Sequence, residues 1–276
     1  MPKGSQLLFP RMVTMAFEGA LMELTASDGH RFSAYRADPA AAPKGAVVVL
    51  QEFFGVNPHI RKMADSFAEA GYVAVAPSLF DRVRAGVELG YAGDSVSEGL
   101  GLVEQLGTDR PLHDIQATVE AVKSAGKVAI IGYCWGGYLA YLSANRVSGA
   151  ACAIGYYGGG IVDDCREKRK IPTLLHFAEN DPLIPFENVI QFRARRPDVS
   201  AFSYPAATHG FNCEERDSYD KDAAQKALER TLSWISQYVE GQPPVTLKNA
   251  GSYAQQKNDK KKKEKAAEDD PGPPMD

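Results

Sequence analysis

The segment Gly132-Tyr133-Cys134-Trp135-Gly136-Gly137 follows the apolar run 128–131 and leads into Tyr138-Leu139-Ala140, which reads as a helix. A strand running through Gly-x-Cys-x-Gly into a helix is the nucleophile-elbow pattern with cysteine in place of serine. The turn needs small neighbours, because the nucleophile's backbone is held in an unfavourable conformation and the helix packs close to the strand. The thiol is thereby lifted above the sheet edge at a helix N-terminus, whose partial positive charge suits a thiolate. Free cysteine ionises near about 8.5, so a nucleophilic thiol at neutral pH needs a base to take its proton. An elbow expects its partners downstream in the order nucleophile, acid, histidine. Asp181, in Glu179-Asn180-Asp181-Pro182, and His209, in Thr208-His209-Gly210-Phe211, meet that order. Asp181 would fix the imidazole tautomer and His209 would move the proton. A second acid, Glu52, directly follows a strongly apolar strand, where a carboxylate is costly unless it is paired.

These residues need a scaffold that brings their segments to one edge. Short apolar runs at Ala46–Leu50, 72–76, 127–131, 150–154, 173–177 and 201–204 are continuous rather than alternating, as in strands buried on both faces of a parallel sheet. Helices are expected near 58–70, 111–125, 136–146, 186–195 and 219–238. The last carries Ala224, Ala227, Leu228, Thr231, Ile235 and Tyr238 on one stripe. Alternating strands and helices imply right-handed crossovers and a mainly parallel sheet. Residues 21–25 and 31–35 flank Ser27-Asp28-Gly29 and read as an antiparallel hairpin ahead of it. The stretch 81–109 is the least regular and is expected to be a loop or short-helix excursion lying over a site. Glu52, Cys134, Asp181 and His209 all fall just after strands, at the carboxyl edge where open α/β sheets place their ligands.

Taken with Gln51-Glu52-Phe53-Phe54-Gly55 and Asp181-Pro182, the elbow and His209-Gly210-Phe211 make the chain resemble the dienelactone hydrolase (carboxymethylenebutenolidase-like) family of the α/β-hydrolase superfamily, over about residues 20 to 240. The resemblance implies a three-layer α/β-hydrolase fold, a mainly parallel central sheet flanked by helices. It also implies a Cys134–His209–Asp181 triad that attacks an ester or lactone carbonyl and passes through a thioester. By the same resemblance Glu52 holds the resting thiol and shifts its proton, and the backbone N–H groups of Phe53 and Trp135 receive the oxyanion. Arg82 stands where the family's substrate-carboxylate-binding arginine would be. Four residues after His209, where the bacterial pattern has an arginine, this chain has Cys213, which leaves the charge of the substrate open, with Arg216 nearby in sequence. A thioesterase or general carboxylesterase would use the same triad. A catalytically idle binding or stress-response module is the rival of another class.

Composition bounds the alternatives. The chain has 276 residues with 31 Lys+Arg against 35 Asp+Glu, so it lacks the basic footprint of a nucleic-acid binder. Its longest apolar runs fall far short of the roughly 18 residues a membrane span needs. The start, where Leu7–Phe9 is cut by Pro10 and Arg11, does not read as a secretory signal. Cys134, Cys152, Cys165 and Cys213 form no CxxC pair and no Cys/His group at zinc spacing, so no metal and no cofactor is expected, and a cytoplasmic setting is. His59, His113 and His176 read as helix and strand residues rather than ligands. The expected partner is a small ester or lactone, with no nucleic acid and no membrane. Residues 1–240 read as one hydrolase domain. Residues 241–276, with five prolines, seven lysines and one aromatic, cannot bury enough apolar surface to offset ordering and read as a disordered tail.

Overall fold

The structure, a computed structural model, describes residues 19–165 and 168–243; of the expected tail, 244–276 lie outside the described residues. The chain opens with a hairpin, β1 (Ala20–Thr25) and β2 (Arg31–Ala37), turned at Gly29 with φ 84°. It then alternates through β3 (Ala46–Leu50), α1 (Pro58–Glu69), β4 (Val73–Pro77), α2 (Ser95–Leu106), α3 (Asp109–Val122), β5 (Val128–Tyr133), α4 (Trp135–Arg146), β6 (Ala150–Tyr156), β7 (Thr173–Ala178), α5 (Phe186–Arg195), β8 (Ser200–Tyr204) and α6 (Lys221–Tyr238). Eight strands form one sheet in the order β1-β2-β4-β3-β5-β6-β7-β8, antiparallel at β1/β2 and β2/β4 and parallel from β4 onward.

Alternation along the buried strands sorts their side chains into two cores. Val47 and Val49 of β3 join Ile60, Ala64 and Phe67 of α1 and Ala223, Ala227 and Ile235 of α6 on one face. Ala46, Val48 and Leu50 join Ile115, Val119 and Val122 of α3 and Leu139, Ala140 and Leu142 of α4 on the other. Phe177 of β7 packs with Val189 and Phe192 of α5 in a third cluster. The result is the three-layer α/β-hydrolase fold. Helix starts follow local chemistry: Asn57 accepts from the Ile60 amide ahead of Pro58, and Asp220 accepts from the Ala223 amide.

Two sequence expectations differ from the structure. The stretch 81–109 contains a full helix, α2, whose period is masked by Gly99 and Gly101. Leu228, expected on the buried stripe of α6, is 39% exposed, while Ala223 is buried instead.

The site is positioned by topology. From β3 the chain steps to β4 on one side, and β5 then lies against the opposite edge of β3. The connections that leave β3 and β5 run to opposite faces of the sheet, through α1 and α4, and open α/β sheets bind ligands at such a switch point.

Candidate active site

Cys134 sits between β5 and α4 with φ 51° and ψ −117°, a backbone conformation that L-residues seldom adopt. Strand β6 and helix α4 hold it there. Its amide donates to the Tyr156 carbonyl of β6 at 3.0 Å, and its carbonyl accepts from the Tyr138 amide at 3.2 Å. The flanking glycines are required by close approach: a Cβ on Gly132 would lie 1.9 Å from the Gly136 carbonyl oxygen, and one on Gly136 would lie 2.4 Å from the Gln51 oxygen. Helix α4 can therefore start directly over the ends of β3 and β5 only with bare backbone at both positions.

His209 and Asp181 arrive from the turns after β8 and β7. His209 Nε2 lies 3.2 Å from Cys134 Sγ and Nδ1 lies 2.8 Å from Asp181 Oδ2. The other carboxylate oxygen of Asp181 accepts from the amides of Leu183 at 2.8 Å and Ile184 at 3.2 Å. All three residues are buried, with the Asp181 side chain fully so. Burial opposes a charge on His209, but the hydrogen bonds to Asp181 and Cys134 outweigh it and push the imidazole up to about 10. The Tyr157 ring, itself at φ 37°, packs edge-on against His209 at 5.1 Å and fixes its plane. The arrangement can carry a proton between sulfur and imidazole while the carboxylate holds the tautomer.

Glu52, two residues past β3, has no solvent exposure, and burial pushes its carboxyl up; Arg216, with Nη1 3.6 Å from Oε1, and His209 pull the other way. Neither Glu52 oxygen has a hydrogen-bond partner. The Trp135 amide opens α4, so it has no acceptor within the helix, and it adjoins Cys134. Phe53 lies in the turn next to Glu52, with its carbonyl pressed on Gly99 of α2 and its ring against Phe54 at 4.2 Å.

Arg82 is placed differently. Nε and Nη2 donate to Asp114 on α3 at 2.7 and 2.8 Å, and Nη1 and Nη2 donate to Asp28 of the hairpin at 2.7 and 3.1 Å. Its side chain is 7% exposed, and it holds Asp28 down to about 2. A substrate carboxylate at Arg82 would compete with two aspartates. Three residues near Glu52 carried no signal in the sequence: Tyr91, His59 and Tyr157. Tyr91 comes from the irregular stretch and meets Asn57 at 3.0 Å and the Arg216 guanidinium over its ring at 5.6 Å. No local spacing links these positions; only the folded chain does.

Residues 32–239 match the Dienelactone hydrolase family. A carboxymethylenebutenolidase of Pseudomonas putida is 30% identical over 219 residues, covering 76% of this chain and 92% of the relative. Carboxymethylenebutenolidase 1 of Cupriavidus pinatubonensis is 31% identical over 225 residues, covering 78% of this chain and 95% of its own. Among solved structures, one from Klebsiella pneumoniae that carries the dienelactone hydrolase name superposes with a TM-score of 0.68 at 28% identity, covering 79% of this chain and 100% of that one.

Proposed function

The chain belongs to the dienelactone hydrolase family and is a carboxylic ester hydrolase; on that premise we propose that it cleaves small esters or lactones with a Cys134–His209–Asp181 triad through a thioester. The observation that carries this reading is the continuous contact from Asp181 Oδ2 through both ring nitrogens of His209 to Cys134 Sγ.

Sγ attacks the carbonyl carbon, and the carbonyl electrons move to an oxygen received by the Phe53 and Trp135 amides. Collapse breaks the bond to the alcohol oxygen, which takes the proton held on His209. In a lactone that alcohol stays tethered to the acyl group. Water then attacks the thioester with His209 as base, releasing the acid and restoring the thiol. Glu52 takes or holds the thiol proton before attack, a role supported by its burial and by the opposed pulls of desolvation and Arg216. The Cys213 position and the engagement of Arg82 by Asp28 and Asp114 favour a substrate without a carboxylate, a point that rates on charged and neutral lactones and esters decide. A reducing, cytoplasmic setting suits a free thiol nucleophile, and all four cysteines are unpaired. Among the described residues no helix is long and apolar enough to cross a membrane.

Cys134→Ala is expected to abolish hydrolysis with the fold intact, since a triad acts as a unit. Mass spectrometry of the wild-type chain mixed with a slow ester should find the acyl group on Cys134. Near-normal turnover in Cys134→Ala, or acylation elsewhere, would overturn the reading.

A further inference from the structure

Glu52 and His59, seven residues apart across the turn into α1, meet Cys213 from the distant segment between β8 and α6. One carboxylate oxygen of Glu52, one ring nitrogen of His59 and Sγ of Cys213 lie within 4.8 Å of one another. Glu52 and Cys213 have no exposure and His59 has 2%. His59 Nε2 and both oxygens of Glu52 are buried with no hydrogen-bond partner, which is costly unless something meets them. Nitrogen, sulfur and carboxylate oxygen together are the donor set of a borderline-soft divalent cation.

We propose that Glu52, His59 and Cys213 form a binding site for Zn2+, and that its occupancy switches hydrolysis off. The structure already places a positive charge beside Glu52: the Arg216 guanidinium, at 3.6 Å with its side chain 22% exposed, is the group an entering cation would displace. Tetrahedral zinc ligands of these types stand roughly 3.3 to 3.8 Å apart, so the three donors close in by about an ångström on binding. Zinc takes the Cys213 sulfur as a thiolate, and the thiol proton leaves to solvent with no change of oxidation state. The two anions and Zn2+ are then neutral overall, as a buried site requires. Inhibition rests on the role proposed for Glu52, because a metal-bound carboxylate cannot take the thiol proton. Binding itself does not rest on that role.

The test uses the full chain with Cys134→Ala, which removes the other reactive thiol. Co2+ added to it is expected to produce a near-ultraviolet thiolate-to-metal absorption, absent when Cys213→Ala is also present. Zn2+ affinity, measured against a chromophoric chelator, should fall by more than roughly 100-fold in His59→Gln, beyond what loss of a ligand's outer hydrogen-bond partner costs. With Cys134 present, Zn2+ should inhibit reversibly on chelation, and the rate of His59→Gln with Zn2+ should match its own rate without the metal. A missing thiolate band, or Zn2+ affinity unchanged by both His59→Gln and Cys213→Ala, would overturn the proposal. Metal-free wild-type chain that binds Co2+ at Cys213 yet hydrolyses no ester would sink the triad and leave the site standing.

Discussion

At Glu52 two physical demands conflict. A carboxylate shut off from solvent favours its neutral form, although Arg216, His209 and the Tyr91 hydroxyl favour the charged one, and the proposed proton transfer from a thiol needs that charged form. Arg216 sits close enough to weigh the balance without forming a tight pair. Glu52→Gln keeps the shape and removes the base, so it should slow acylation by about 10²-fold or more, with a matching fall in the rate of Cys134 alkylation by a neutral reagent. Unchanged alkylation and turnover would reduce Glu52 to a strand-end acid. At this scale the sequence was informative wherever a residue advertised itself through its immediate neighbours. Cys134 lies between two obligatory glycines, and Asp181 and His209 each follow a strand. The surroundings of Glu52 could not be read, because Tyr91, His59 and Arg216 reach it from separate segments.

Among the elements, β3 to β8 were legible because buried parallel strands are continuously apolar, a pattern that needs no knowledge of neighbours. Helix α2 was not, because Gly99 serves packing rather than helix propensity and Gly101, over open space, adds a second poor helix former. A Cβ at Gly99 would lie 2.1 Å from the Phe53 carbonyl oxygen. The helix thus presses on the turn whose amide is proposed to receive the oxyanion. Gly99→Ala should cost about 1–3 kcal/mol by overpacking and, by moving the Phe53 peptide, lower kcat by about 10²-fold. Steady-state kinetics beside a urea titration separates the two: a stability loss with unchanged kcat would mean that α2 does not set the Phe53 turn. Arg82 shows the converse case. Its position in the sequence suggested a ligand, and the fold ties it, in the single 3-10 turn Leu79–Arg82, to the hairpin and α3 through Asp28 and Asp114.

For the whole molecule, three buried histidines give stability a defined dependence on pH. His176, between the Tyr204 and Thr231 hydroxyls, is pushed down to about 3 by burial, and His59 to about 4. An unfolded histidine titrates near about 6.5, so below that value the unfolded chain binds protons that these two refuse. Their contribution is complete above pH 6.5 and is lost as pH falls toward 4 and 3. His209, held up at about 10, behaves oppositely: its contribution is complete below pH 6.5 and is lost as pH rises through 10. Urea denaturation across pH should therefore show the deficit of His176→Gln shrinking from pH 7 to 4, and that of His209→Gln shrinking from pH 7 to 10.5. Parallel curves for wild type and either variant would refute the assignment.

The left-handed backbone at Cys134 belongs to the elbow and not to the sulfur, so any side chain placed there inherits it. Alanine lacks the thiol but keeps the Cβ that the conformation penalises, whereas glycine is free of it. Of two equally inactive variants, Cys134→Gly should therefore melt above Cys134→Ala, by about 1–2 kcal/mol of stability, the reverse of their order in ordinary backbone. Selection for heat resistance alone would drift at this one position toward glycine and lose the enzyme. On the role proposed for Cys134, a continuing demand for hydrolysis is what keeps a reactive side chain where the fold would rather have none.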